Sequence, residues 1–449
     1  MKLRTALLFV LAAYGVGCTE SPRSDDRPLH TPRRDNVVVI TIDTLRADSL
    51  GVYGNPGGHS PHLDAWAADA VVFDNAITAI GTTFPSHATL FTGLYPKHHG
   101  VRKNADRLDD RFTTLAEVLG DAGYETASFV SLRSMVGRGG LHQGVATGDG
   151  IESRGPVRPG TEINERALPW LSARGERPFF LWLHYFEPHS PYPLTDFARQ
   201  QLADYAGPLA DGASVETFYS LGSEIPWTAE ETRAVRALYD GRVRDADRAV
   251  GEILQRLGQL GLLSETLVVV TSDHGQALGE HGAIGHGWKL IQPVLHVPLI
   301  AHLPGVEPRR IRRRVGLVDL MPTILDWLGL PIAAELDGTS LRPLLTDQPM
   351  PQATYFAEVR DSKDPQPRDR SLAVFDADLK AVFRPGEWNL YDLAGDPQEL
   401  RPMAPDLRDD RQAALRRLAA SYRDSAIEAS RPDLSDQARR ELEALGYIE

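Results

Sequence analysis

A chain of 449 residues can hold one large domain or two ordinary ones and can bury a substantial core. With 42% hydrophobic and 24% charged residues, and no low-complexity run or fixed-period repeat, the composition is globular and excludes fibrous and solenoid designs. The formal charge of −13 argues against a nucleic-acid binder, which presents a basic face.

The first element reads as an export segment. Lys2 and Arg4 give a positive start, and residues 6–16 form an apolar stretch too short to span a bilayer comfortably. It closes on Gly15-Val16-Gly17-Cys18, which resembles a bacterial lipoprotein signal. That resemblance implies a signal peptide over 1–18, lipidation of Cys18 and an anchor in the cell envelope. Gly15 stands where the pattern usually has leucine, so ordinary cleavage to a secreted or periplasmic protein is the alternative. Thr19 replaces the aspartate of inner-membrane retention and points to the outer membrane. Residues 19–35, rich in Pro, Arg, Asp and Ser, read as a flexible tether. Cys18 is the only cysteine, so residues 19–449 can make no disulfide and no thiolate metal site.

Apolar runs of strand length then occur at 37–42, 179–183, 267–271 and 297–301, as expected of strands covered on both faces in a parallel sheet. Helical patterns lie at 114–122, closed by Gly123, at 163–173, and at 229–260, closed by Gly261. The alternation predicts a doubly wound, mostly parallel α/β domain over 36–345. After Leu345 the texture changes. Short strands at 354–360, 371–375, 379–384 and 388–392, then a helix at 408–430, predict a smaller C-terminal α+β subdomain over 346–449.

Ligands of such sheets gather beyond the carboxyl ends of the strands. Asp43 follows the first run, His184 the second, and Asp273-His274-Gly275 the third. An adjacent carboxylate and imidazole can bind one divalent cation, whereas a lone aspartate such as Asp43 is also a common helix cap. Between them, Thr82-Thr83-Phe84-Pro85-Ser86-His87 sets a threonine before a proline-initiated helix. There its hydroxyl either caps the helix or, activated by a cation, serves as a nucleophile.

The ordered set is more telling than any member. Asp43 is followed by Thr83-Phe84-Pro85-Ser86-His87, Thr92-Gly93-Leu94-Tyr95-Pro96 and His99-Gly100-Val101. Then come Asp273-His274-Gly275, Gly279-Glu280-His281-Gly282, Gly285-His286-Gly287 and Val297-Pro298-Leu299-Ile300. Asp319, Asp337-Gly338-Thr339-Ser340-Leu341 and Leu390-Tyr391-Asp392-Leu393 complete the series. The whole resembles the sulfatase family of the alkaline phosphatase superfamily over residues 36–449.

Two departures stand out. Sulfatases convert a cysteine or serine to formylglycine; here that place holds Thr83, and the motif arginine is His87. The segment is instead similar to the nucleophile segment of nucleotide pyrophosphatases/phosphodiesterases, whose unmodified threonine attacks phosphorus. Asn104 after His99-Gly100-Val101 fits the same pattern.

The resemblance implies a hydrolase of sulfate or phosphate/phosphonate esters on a small-molecule, glycan or lipid. One divalent cation (Ca, Mg, Mn or Zn) would be held by Asp43, Asp273, His274 and Thr83. Asn104, His184 and His286 would join the chemistry, and His87, His189 and Lys289 would contact substrate. A second metal at Glu187, His189 and His286 is the lesser expectation. The alternatives are a phosphoethanolamine-type transferase, which usually carries several membrane helices and disulfides, or an inactive envelope binding protein on the same fold.

Overall fold

The computed structural model describes residues 34–137, 139–149, 157–222, 227–359, 371–384, 386–404 and 409–424. The export segment with Cys18, residues 19–33 of the tether and the end of the helix predicted over 408–430 lie outside them.

The first strand, β1 (Asn36–Ile42), is buried at every residue. Its side chains alternate between two cores, Val37 and Val39 entering one and Val38, Ile40 and Ile42 the other, as a central strand requires. The main sheet continues with β2 (Val71–Ile77), β3 (Glu125–Val130), β4 (Thr147–Gly148), β5 (Phe179–Tyr185), β6 (Thr266–Thr271), β7 (His296–Val297), β8 (Leu299–His302) and β9 (Arg309–Gly316). Its order is β7-β2-β8-β6-β1-β5-β3-β4, with β9 also pairing β2. The strands β6, β1, β5 and β3 run parallel, β1 carrying Val37 opposite both Phe180 and Leu267.

Helices cover both faces. On one lie α1 (Pro61–Ala67), α4 (Gly160–Ala173) and α5 (Ala229–Gln259); on the other lie α2 (Thr83–Thr92), α3 (Leu115–Asp121) and α6 (Leu320–Leu328). Local chemistry sets their ends. Thr114 and Glu117 form a capping box at the start of α3, and Thr228 accepts the N–H groups of Glu230 and Glu231 at the start of α5.

The run at 297–301 departs from expectation. Pro298 interrupts it, and β8 runs antiparallel between β6 and β2. Burial on both faces dictates an apolar composition but not a direction. The Pro298 carbonyl still accepts a bond from Thr271 Oγ1, so the break costs no buried acceptor.

The C-terminal part is a meander of β10 (Thr354–Val359), β11 (Ser371–Asp376), β12 (Leu379–Arg384) and β13 (Glu387–Asp392). The helix α7 (Asp410–Asp424) contributes Leu415, Ala419 and Tyr422 to its core, which also contains Tyr95, Leu290, Leu295 and Val318 of the first unit. A buried ion pair, Arg102 Nε to Glu358 Oε1 at 2.6 Å, crosses the same boundary. The architecture is thus a doubly wound, mostly parallel α/β sheet with a separate antiparallel sheet packed on it. Among the described residues, no helix is long and apolar enough to cross a membrane.

Candidate active site

The carboxyl ends of β1, β5 and β6 converge on the start of α2. All ten residues of α2 are buried, so it carries no solvent face. Thr82 is its N-cap with extended backbone and no side-chain cap bond, which leaves Thr83 as the first helical residue rather than the cap. Ser86 Oγ donates to Asp273 O at 2.7 Å, pinning α2 to the exit of β6. Asn104 Oδ1 accepts the Phe84 N–H at 2.8 Å. Since Pro85 has no N–H, the helix mouth offers an anion fewer free donors than the sequence suggests.

Asp43, Asp273 and His274 each present a ligand atom within 4.8 Å of the others, and all three are buried. Thr83 Oγ1 lies 3.3 Å from His274 Nε2. Nδ1 of that imidazole is 2.9 Å from Gly275 O, so it carries the proton and turns the Nε2 lone pair to the cluster. Asp273 Oδ1 accepts the amides of Thr44 and His274, whereas Oδ2 has no hydrogen-bond partner among the described residues. Burial pushes this carboxyl up to about 6, against the pull of the neighbouring His87 and of amide bonds. A buried carboxylate whose neighbours are amides and imidazoles is costly unless balanced. A divalent cation would balance it, and oxygen with imidazole donors suit such an ion.

The other predicted residues divide. His184 Nε2 is 3.8 Å from Asp43 Oδ2, and neither of its ring nitrogens has a hydrogen bond among the described residues. His189 and His286 face each other through Nε2 at 3.2 Å, with Nδ1 on Ser190 O and Gly81 O respectively. His286 also lies against His274, ring centroids 4.3 Å apart. Burial lowers the pKa of all of them, His189 and His274 to about 3, so these imidazoles are neutral at pH 7.

His87 and Lys289 fall outside this group. His87 sits beneath the threonine, fully buried, with Nδ1 2.8 Å from Thr83 O and Nε2 2.9 Å from Thr41 Oγ1. With both nitrogens spent on the fold, it holds Thr83 rather than contacting substrate. Lys289 lines a different cleft, with His281, Arg384, Tyr391 and Glu399.

Several buried side chains support the site without belonging to any of its motifs. Thr41 Oγ1 accepts Trp182 Nε1 at 3.0 Å and so joins β5 to His87. Buried Arg46 reaches Asp48, Glu280 and Gln276 O, linking the segment after Asp43 to the loop after His274. An arginine three residues past a strand-end aspartate was the available signal. Trp288, 52% exposed, meets Tyr219 edge to face at 5.8 Å, an aromatic rim beside His286.

The family model described as "Sulfatase" matches residues 35–330, and that of the N-sulphoglucosamine sulphohydrolase C-terminal region matches 279–420. A multifunctional alkaline phosphatase superfamily protein of Trinickia caryophylli is 27% identical, over 85% of this chain and 95% of its own. N-sulphoglucosamine sulphohydrolase of Homo sapiens is 28% identical, over 84% and 87%. The solved phosphonate monoester hydrolase of Agrobacterium radiobacter superposes with a TM-score of 0.68 at 25% identity, over 90% of this chain and 99% of that one.

Proposed function

The chain belongs to the sulfatase family, and from that premise we propose that it is a cation-dependent ester hydrolase whose nucleophile is unmodified Thr83. That it is a sulfuric or phosphoric ester hydrolase follows from the family and from relatives of both kinds. The observation that carries the finer reading is the placement of Thr83 Oγ1, at the first turn of α2 and 3.3 Å from a nitrogen of the Asp43, Asp273 and His274 cluster.

The cation, held by those three residues, would offset the buried carboxylates and lower the pKa of the threonine hydroxyl. Thr83 Oγ then attacks sulfur or phosphorus in line, its hydroxyl proton passing to one of the neutral imidazoles beside it, the bond to the ester oxygen breaks, and that oxygen takes up a proton and leaves as an alcohol. Threonine is left sulfated or phosphorylated, and water hydrolyses that ester. His87 is a positioning residue that fixes the Thr83 carbonyl, and Asn104 holds the start of α2. His184, His189 and His286 are neutral before substrate arrives. A bound anion raises their pKa values and lets one of them protonate the leaving oxygen.

An ordinary threonine ester needs water activation for its release, whereas formylglycine expels sulfate from its own hydrate. That difference favours phosphate or phosphonate esters, and sulfated sugars enter as a class through the human relative, a hydrolase of N-sulphoglucosamine. Nitrophenyl phosphate, phosphonate and sulfate, each with manganese, calcium or zinc, sort these choices. Thr83→Ala should lose at least a thousandfold in kcat, as the loss of a covalent nucleophile does, while its melting curve stays that of the wild type. Turnover at the wild-type rate in that variant refutes the assignment.

A further inference from the structure

Thr44, directly after Asp43, has φ 58, a left-handed conformation that a β-branched residue keeps only when its surroundings over-determine it. Its hydroxyl donates to Asp43 O at 2.7 Å, and its N–H donates to Asp273 Oδ1 at 3.2 Å. One unusual backbone conformation thus ties the segment carrying the first carboxylate to the second. The following residues are anchored too. Leu45 N donates to Ser272 Oγ at 3.0 Å, and that hydroxyl donates to His274 O at 2.6 Å.

What holds this turn from the far side is a single phenol. Tyr239 lies in α5, on the opposite face of the sheet from α2, and is fully buried. Its hydroxyl donates to Thr44 O at 2.8 Å and accepts from Arg46 N at 3.0 Å, bracketing the turn at both ends. Removing that oxygen would leave a buried carbonyl and a buried amide without their partner, and would release the conformation that aims Thr44 N at Asp273.

We propose that Tyr239 is a positioning residue of the cation cluster, its phenol locking Thr44 left-handed and so setting the placement of Asp43 against Asp273. The proposal rests on reading Asp43, Asp273 and His274 as a cation site. Tyr239 acts through the backbone of Thr44 and Arg46, as the outer partners of metal ligands do.

The test is calorimetric titration of manganese(II) into the full chain stripped by chelation. Tyr239→Phe should bind the ion about 10- to 100-fold more weakly, the range usual for lost outer-shell partners. Its turnover should fall at limiting manganese and return towards the wild-type kcat at saturating manganese. Tyr53→Phe is the control, because the Tyr53 hydroxyl bonds to the backbone of Phe73 and Leu299, away from the cluster. It should lose comparable thermal stability and keep the wild-type affinity.

Unchanged affinity in Tyr239→Phe overturns the proposal, as does an equal loss in Tyr53→Phe. A wild type that binds no manganese overturns the cation reading itself and the clamp with it. Should Tyr239→Phe not fold, amide exchange in the wild type decides. Manganese must slow exchange over residues 44–46, since the coupling is reciprocal, and exchange unaltered by the ion overturns the proposal.

Discussion

Asp273 concentrates the electrostatics of the site. Its carboxyl titrates near 6 in the cation-free fold because it is buried, against about 4 in an unfolded chain. A raised carboxyl pKa contributes stability that is complete below the unfolded value and is lost as pH rises through the folded one. At pH 7, therefore, the cation-free protein carries a destabilising charge, with a ceiling on the order of 3 kcal/mol. Asp273→Asn keeps an oxygen for the amides of Thr44 and His274. Without cation it should resist urea better than the wild type at pH 7, and the gap should close at pH 4. Added cation should stabilise only the wild type. Equal urea midpoints at pH 7 would contradict this account of the cluster.

Single residues at strand ends were the most legible part of the site. Asp43, Asp273 and His274 stand where a parallel sheet directs ligands, and the structure brings their ligand atoms together. His87 was opaque for a physical reason. Every residue of α2 is buried, so the helix has no amphipathic stripe to say that Thr83 meets the cluster while His87 turns to Thr41.

At the scale of elements, the continuous apolar runs revealed β1, β5 and β6, whereas Asp74 and Asn75 break the run that opens β2, and β3 and β9 carry none. In β3, Thr126 and Ser128 are polar yet buried, and both are satisfied, by Gly144 O and Asp149 O. In β9 the arginines of Arg309–Gly316 mask the inward residues Ile311 and Val315. Neither pattern resembles the expected apolar strand.

The end of α2 depends on one glycine. Gly93 closes the helix at φ 66, and its carbonyl accepts the amides of both Asp337 and Gly338. A Cβ there would come 3.2 Å from Leu336 Cδ1. Gly93→Ala should cost about 1 to 2 kcal/mol in denaturant titration, from the left-handed strain and this contact. No loss of stability would show that the segment 336–338 yields freely.

Over the whole molecule, a recurring buried ionisable group is the neutral histidine. His99, apart from the cluster, shows the consequence. Its Nδ1 accepts Val101 N at 3.1 Å and its Nε2 lies 3.0 Å from Thr89 Oγ1, and burial lowers its pKa to about 3. A depressed imidazole contributes stability that is complete above its unfolded pKa of about 6.5 and declines as pH falls towards 3, by roughly 1.4 kcal/mol per unit. His99→Gln should therefore flatten the acid limb of a stability-against-pH profile between 6 and 4. Parallel profiles for variant and wild type would show that His99 is protonated without penalty in the fold.

The same scale explains why architecture was readable while details were not. Alternation of strands and helices needs only composition and length, whereas the pairing of β8 between β6 and β2 depends on contacts about thirty and about 230 residues away in the chain. The central claim is likewise one of assembly, that a cluster at strand ends presses on a hydroxyl at the start of α2. A crystal structure of the cation-loaded protein with vanadate tests it most directly. The account predicts one ion bound by Asp43, Asp273 and His274, and vanadium in line with Thr83 Oγ. Vanadate seated away from Thr83, or an ion bound by other residues, would contradict it.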